Sequence, residues 1–263
     1  MKSFFKLASI SLQSQMYYRM GFFWSLFAPL FLLGGQFFLW AALYGNNPGG
    51  VFSGYTRDTM FTYTLFAFCI NNLLTWSTEN NLSREIRSGT VVSRCVRPMS
   101  FLGQSLAAMF GSIIPQGIVN FSIGIVILSV FRGHFSPPVF RNIPLFICSL
   151  FLAVTLRMLL IHVFSLLCFY TTSHLGLAWT RTALVEFFSG AVIPIAVFPG
   201  WLKTVSYRLP FPFMLQIPLS IFLGQQMPIL QTFSMQIFWI CIFLLADRVL
   251  YGHIRKNMVI AGG

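Results

Sequence analysis

Charged residues are scarce in this sequence, and acidic residues are the scarcest. Asp and Glu number 5 and Lys and Arg 17 among 263 residues, so only 8% of the chain is charged. A soluble domain usually carries about a quarter charged residues, and it could not bury the 56% of residues that are hydrophobic here. The composition therefore excludes a soluble protein and indicates an integral membrane protein. In that class, a net charge of +12 indicates basic loops that fix orientation rather than a partner nucleic acid.

Motifs of nucleotide-binding and hydrolytic sites are also missing. The sequence contains no GxxxxGK[ST], no GxSxG and no HExxH. Four of the five cysteines lie in apolar runs, and no Cys or His spacing indicates a disulfide or a metal site. We therefore expect no catalytic residue, no metal site and no cofactor on this chain.

Long apolar runs are abundant. A membrane-spanning helix needs roughly 20 apolar residues. Six segments qualify, at about residues 21–43, 59–76, within 106–131, within 144–169, 175–198 and 229–250. No stretch between them is long enough to bury a core of its own. The sequence predicts an all-α integral membrane fold, in which residues 1–263 form a single domain with six transmembrane helices.

The distribution of basic residues predicts the orientation of these spans. One set of flanks holds ten Lys and Arg residues, and the opposite set holds five. The richer set is Lys2, Lys6, Arg19, Arg84, Arg87, Arg94, Arg97, Arg248, Arg255 and Lys256, and the other is Arg57, Arg132, Arg141, Lys203 and Arg208. We therefore expect both termini and the loop at residues 77–100 to be cytoplasmic.

Residues 1–20 precede the first span and carry an amphipathic pattern. Phe5, Ala8, Leu12 and Met16 recur at helical spacing beside a polar stripe that includes Lys6. This pattern predicts a helix that lies in the membrane interface, with its lysines toward anionic headgroups. A disordered basic tail is the alternative.

Residues 199–228, between the fifth and sixth spans, are apolar but rich in proline. Its prolines would interrupt a membrane-spanning helix, and the segment is too hydrophobic to be a solvent-exposed loop. It opens with Pro199, Gly200 and Trp201, and Pro210 interrupts it. We expect a re-entrant or surface-lying pair of short helices on the extracytoplasmic side, anchored by Trp201 and Tyr207.

The loop after the second span contains the stretch "SREIRSGTVVSRCVRPMS", Ser83 to Ser100, in which four arginines face one acidic residue. A short helix is predicted over residues 77–89, with Ser77 or Thr78 as its cap and Gly89 as its left-handed stop. Leu82 and Ile86 lie four residues apart and would form an apolar ridge. Such a helix could dock into a groove on another protein. The alternative is that the arginines only fix topology and contact lipid phosphates.

Polar residues within the predicted spans are few, and each needs a partner. They are Gln36, Asn71, Asn72, Arg157, Arg181 and Glu186. Arg157 and Glu186 lie at similar distances from the turn between the fourth and fifth spans, so they could form an ion pair. That pair could act as a latch during gating or serve a purely structural role. The amides could join helices or line a transport path.

Four stretches resemble the ABC type-2 permease family. They are "FFLWAALYGN" closing the first span, "SREIRSGTVVSRCVRPMS" after the second, "FFSGAVIPIAVFPGWL" ending the fifth and "LPFPFMLQIPLSIFLGQ" before the sixth. The segments "IRSG", "RP" and "SGxxIPxxxFPGWL" are the specific elements. The resemblance extends over essentially the whole chain, and it is nearest to a six-helix branch of export permeases.

The resemblance implies the membrane subunit of an ATP-driven exporter in a bacterial cytoplasmic membrane. Its partners would be ATP-binding cassette ATPase subunits, which hold ATP and Mg²⁺, and a second permease, identical or similar. The first, second and fifth helices would face the dimer and line the path of a hydrophobic or amphipathic substrate.

The resemblance also assigns a role to the arginine-rich loop, as a coupling helix seated on the ATPase. On that analogy the coupling residues would be Glu79, Leu82, Arg84, Glu85, Ile86, Arg87, Ser88 and Gly89. A self-contained secondary transporter or channel is the alternative. It would need intramembrane coupling carboxylates or an inverted repeat, and neither is evident.

Overall fold

The computed structural model describes residues 2–17, 19–45, 50–74, 80–130, 135, 140–171 and 174–257. These residues form helices joined by turns, and no β-strand occurs among them. The helices are α1 (Lys2–Tyr17), α2 (Arg19–Tyr44), α3 (Arg57–Asn71), α4 (Asn81–Arg87), α5 (Val92–Cys95), α6 (Phe101–Val130), α7 (Ile143–Leu166), α8 (His174–Phe188), α9 (Gly200–Tyr207), α10 (Gln216–Phe222) and α11 (Ile229–Asn257). The all-α prediction is confirmed.

Among the described residues, three helices are long and apolar enough to cross a membrane. They are α6, α7 with its 3₁₀ extension to Phe169, and α11. At 1.5 Å per residue each exceeds the roughly 30 Å of a hydrocarbon core. These helices correspond to the predicted third, fourth and sixth spans, and the chain is a membrane protein.

The other three predicted spans are shorter or less complete, so the six-span topology stays a prediction. Helix α2 has a described apolar part at Ala28–Tyr44. Helices α3 and α8 have 15 residues each, about 22 Å of helix. Helix α3 ends at Asn71, and the predicted end of the second span at residue 76 lies outside the described residues. The predicted end of the fifth span at residue 198 is wrong, because α8 stops at Phe188.

Helix α1 packs along the first half of α6. The Ser11 hydroxyl donates to the Ala108 carbonyl over 2.7 Å, and the Phe4 and Phe110 rings lie 6.1 Å apart. Gly111 permits the approach, because a Cβ there would collide with the backbone of Ala8. The predicted N-terminal helix exists, and its placement in the membrane interface stays a prediction.

The proline-rich segment contains two short helices, α9 and α10. Pro199 occupies the N-cap of α9 and Gly200 begins it, whereas the buried Pro210 precedes a 3₁₀ turn at Phe211–Met214. The Trp201 side chain is 70% exposed, as an anchoring residue requires. Every residue from that 3₁₀ turn through α10 is buried. The re-entrant and extracytoplasmic placement stays a prediction.

Side-chain amides donate hydrogen bonds to backbone carbonyls of that segment. Gln236 on α11 donates to the Phe213 carbonyl over 3.0 Å and to Ser149 on α7 over 3.1 Å. Asn142 donates to the Ile221 carbonyl over 3.1 Å. A buried carbonyl without a partner costs several kcal/mol in an apolar medium, so these amides permit non-helical backbone here.

A polar cluster around Gln216 explains where α8 ends. The Gln216 side-chain oxygen lies 2.5 Å from the Tyr63 hydroxyl, and its amide donates to the Tyr55 hydroxyl over 3.2 Å. The Tyr63 hydroxyl also lies 2.8 Å from the Gly190 carbonyl. Gly190 has a φ of +83° and turns the chain directly after Ser189. Burial raises the pKa of Tyr55, so its hydroxyl remains neutral at physiological pH.

Replacement of Gly190 by alanine is expected to disrupt this cluster. A Cβ there would lie 2.6 Å from the Gln216 side-chain oxygen and 2.7 Å from the Tyr63 hydroxyl, on a backbone with positive φ. We expect Gly190→Ala to lower stability by about 2 kcal/mol or more. The measurement is the melting temperature in detergent, read as the loss of the monodisperse peak in size-exclusion chromatography.

Gly200→Ala is the matched control, because a Cβ at Gly200 meets nothing within 4 Å. Equal melting temperatures for the two variants would contradict a structural role for the cluster.

Candidate functional site: a basic surface after α3

Apolar packing ties α4 and the following turn to the long helices. Leu82 on α4 is 2% exposed and packs with Val91, Phe101, Leu166 and Ile254, which belong to the loop, α6, α7 and α11. Full burial of a leucine contributes about 1.5–3 kcal/mol. Leu82 therefore fixes the loop to the ends of three helices.

A partly buried ion pair holds α4 against α5. Both oxygens of Glu85 accept hydrogen bonds from Arg94, one of them from Nη2 over 2.9 Å, in a bidentate arrangement. Arg94 also donates to the Ser105 hydroxyl on α6 over 3.2 Å, and its carbonyl accepts from Gln104 over 2.9 Å. The Arg94 side chain is only 9% exposed. Bidentate pairing fixes orientation as well as distance, so α4, α5 and α6 meet in one geometry.

A third link joins α4 to α7. The Ser83 hydroxyl donates to the Ser165 hydroxyl over 3.1 Å, and both residues are buried. One helical turn deeper, His162 on α7 lies 3.0 Å from Asp247 on α11, and the Phe101 ring lies 5.9 Å from the His162 ring. Helix α4 and its loop are therefore in contact with α6, α7 and α11.

The outward side of α4 and α5 forms what we call the basic surface. Its members are exposed: Arg84, Arg87, Ser88, Val92, Val96 and Arg97. Val96 is 81% exposed and Val92 is 38% exposed, so the same short stretch of chain exposes two apolar side chains and three arginines. Charge around a small apolar centre is typical of a protein-docking surface.

The structure changes the predicted coupling residues in part. Leu82 packs inside the chain, with Ile86 partly buried beside it, so the expected apolar ridge is not available to a partner. Glu85 pairs with Arg94 rather than facing outward. Gly89 has a φ of +73° and ends the helical region as predicted. The described helix begins at Asn81, four residues after the predicted start at residue 77. Ser77, Thr78 and Glu79 lie outside the described residues.

Arg157, deep in α7, binds the end of α3. It donates to the Asn71 carbonyl over 2.8 Å and to the Asn71 side-chain oxygen over 2.9 Å. The last carbonyls of a helix lack intrahelical partners and carry partial negative charge, which favours a cation there. Asn120 on α6 likewise donates to the Asn72 carbonyl over 2.8 Å. These contacts explain how α3 can stop within apolar surroundings.

The remaining polar candidates lie apart from the basic surface. Gln36 on α2 donates to the Val192 carbonyl over 3.4 Å, and Asn72 donates to the Phe68 carbonyl over 2.9 Å. On α8, Arg181 is buried and Glu186 is exposed. The pairing of Arg157 with Glu186 stays a prediction.

Sequence reasoning missed Arg94 and the His162–Asp247 pair. Glu85 is the sole acidic residue between positions 80 and 100, which was a usable signal that one of the four arginines would be its partner. His162 and Asp247 lie 85 positions apart, so no local spacing could reveal them. Within the described part of the chain, no group of three His, Cys, Asp or Glu side chains could hold a metal ion.

Comparison with known proteins gives one family. A family model described as "ABC-2 family transporter protein" matches residues 30–258, which is most of the chain. No curated protein matches.

Loss of the Glu85–Arg94 pair is expected to loosen the basic surface. Arg94→Gln leaves a partly buried carboxylate without its bidentate partner, which costs about 2 kcal/mol. We expect faster amide hydrogen exchange over residues 81–95, measured by mass spectrometry in detergent.

Arg97→Gln removes an exposed arginine of the same segment and serves as the control. Unchanged exchange in Arg94→Gln would show that the pair does not position α4.

Proposed function

The chain belongs to the ABC-2 family of transporter proteins, and we propose that it is the membrane-spanning permease subunit of an ATP-driven exporter. A separate ATPase would bind ATP and Mg²⁺, since this chain carries no GxxxxGK[ST] motif. The permease would move a hydrophobic or amphipathic substrate outward across a bacterial cytoplasmic membrane. Both termini and the basic surface would face the cytoplasm, in accord with the excess of basic residues there.

The observation that carries this proposal is the basic surface itself. Three exposed arginines and the exposed Val96 lie on a short helical unit that is rigidly joined to α6, α7 and α11. Arginine forms fork-shaped hydrogen bonds with carboxylates, so an acidic groove on an ATPase is the complementary partner. An unanchored loop would yield under force, whereas this one is fixed by Leu82 and by the Glu85–Arg94 pair.

The coupling mechanism follows from that attachment. Closure of two ATPase subunits around ATP would push on the basic surface of each permease. Because Leu82, Ser83 and Arg94 join that surface to three helices, the push would tilt the helices rather than bend the loop. The cavity would then change from inward-facing to outward-facing, and ATP hydrolysis would reset it.

The permease would work as a pair, with an identical or similar second subunit. Large apolar side chains are exposed on α2 and α8, the helices that would face the partner. They include Leu39, Leu43, Trp179 and Phe187. Exposed apolar surface of this kind can face either lipid or a second subunit, and a pair would enclose a substrate path that six helices alone are few to form.

Reversal of charge on the basic surface is expected to weaken both binding of the ATPase and transport. In Arg84→Glu/Arg87→Glu the acidic groove of the ATPase would meet like charges, so association should weaken by at least about tenfold. Transport should fall in proportion, while expression and membrane insertion stay normal. The measurements are co-purification with the cognate ATPase in mild detergent and ATP-driven uptake of substrate into inverted vesicles, whose cytoplasmic face points outward.

Lys203→Glu/Arg208→Glu is the matched control, because it reverses two exposed charges on and just after α9. Normal ATPase association in the first double variant would contradict the proposed coupling role.

A further inference from the structure

An apolar pocket of about 510 Å³ lies between α2, α3 and α6. Its volume is typical of sites for small ligands, which are about 300–1,000 Å³. The lining residues include Leu30, Gly34, Phe37, Ala41, Arg57 and Phe61. Arg57 is the sole charged residue among them, so the pocket combines one cation with an apolar wall.

The length of the pocket matches one leaflet of a bilayer. Its wall on α2 runs from Leu30 to Ala41, which is about 16 Å of helix. Half of a hydrocarbon core is about 15 Å. Arg57 begins α3, at one end of that wall, where lipid headgroups would lie. The pocket therefore has the dimensions of an acyl chain with a headgroup site at Arg57.

Arg57 is incompletely paired within the described part of the chain. Its guanidinium carbon lies 5.3 Å from the centre of the Phe61 ring, a cation–π contact. Its Nε is buried and has no hydrogen-bond partner among the described residues. A buried donor without a partner costs about 1–3 kcal/mol, so an anionic oxygen bound there would be stabilised.

The mouth of the pocket is continuous with exposed apolar surface. Phe38 is 80% exposed, and Phe31 and Leu32 beside it on α2 are 77% and 67% exposed. An acyl chain of a lipid could therefore enter the pocket sideways from the membrane without crossing polar protein surface.

We propose that this pocket binds one anionic phospholipid of the surrounding leaflet, with an acyl chain against Phe37 and Phe61 and its phosphate on Arg57. The lipid is a resident ligand rather than the transported substrate. The proposal does not rest on coupling to an ATPase, so the two can fail separately.

A larger side chain at Gly34 would fill the pocket without disturbing the fold, so substitution of Gly34 tests the proposal. A Cβ at Gly34 meets no atom of the chain within 4 Å, and the same holds for its neighbour Gly35, which does not line the pocket. Gly34→Leu projects a side chain into the pocket, and Gly35→Leu is the matched control. Arg57→Gln removes the cation, with Arg208→Gln as the control for an exposed arginine.

The assay reconstitutes the full chain in nanodiscs that contain equal amounts of phosphatidylglycerol and phosphatidylcholine. Native mass spectrometry then counts the lipids retained after the disc is removed. We expect one retained phosphatidylglycerol per chain, lowered about tenfold by Gly34→Leu and by Arg57→Gln and unchanged by both controls. Size-exclusion profiles confirm that each variant is folded.

Three results would overturn the proposal. Equal retention of phosphatidylcholine would show that Arg57 selects no anion. Unchanged retention in Gly34→Leu would place the lipid elsewhere. A change of oligomeric state in Gly34→Leu, without loss of phosphatidylglycerol, would assign the pocket to contact with a second copy of the chain.

Discussion

The attachment of α4 and α5 to the ends of three long helices is the constraint on which the functional account depends. Leu82 supplies the apolar part of that attachment, and the Glu85–Arg94 pair supplies its geometry. A leucine alone could pivot, and an ion pair alone could be replaced by water. Together they hold a segment with exposed arginines in one position against the long helices, as the proposed coupling role requires.

A second constraint operates in the buried interior of the chain, where water cannot satisfy backbone groups. The chain ends α3 early and breaks the segment before α11, and it places polar side chains at each break. Arg157 meets the end of α3, and Gln236 meets the carbonyls before α10. In this chain, therefore, intramembrane polar groups are explained first by helix ends and only then by a transport path.

Part of the architecture could be predicted because the length of an apolar run is a local property of the sequence. The long helices α6, α7 and α11 follow from runs of apolar residues. The left-handed turn after α4 follows from the glycine at position 89. The ends of α3 and α8 could not be predicted, because apolar residues continue past them. What stops α8 is the contact of Gly190 with Tyr63 and Gln216, which are distant in sequence.

The basic surface was predictable in position but not in detail. Periodicity placed Leu82 and Ile86 on one face, but it could not say whether that face met a partner or the chain's own helices. In the structure Leu82 is buried in the interior, whereas Val92 and Val96 are exposed. Which arginine pairs with Glu85 likewise depends on how α5 folds back, and spacing alone does not determine that.

Photo-crosslinking from Val96 tests the central claim most directly. A benzophenone amino acid at this highly exposed position, in cells that express the whole transport system, should form an adduct with a polypeptide that contains a GxxxxGK[ST] sequence. The same group at Trp201, exposed on α9, should not. If Val96 gives no such adduct while the system still transports, the basic surface is not the contact through which ATP drives this protein.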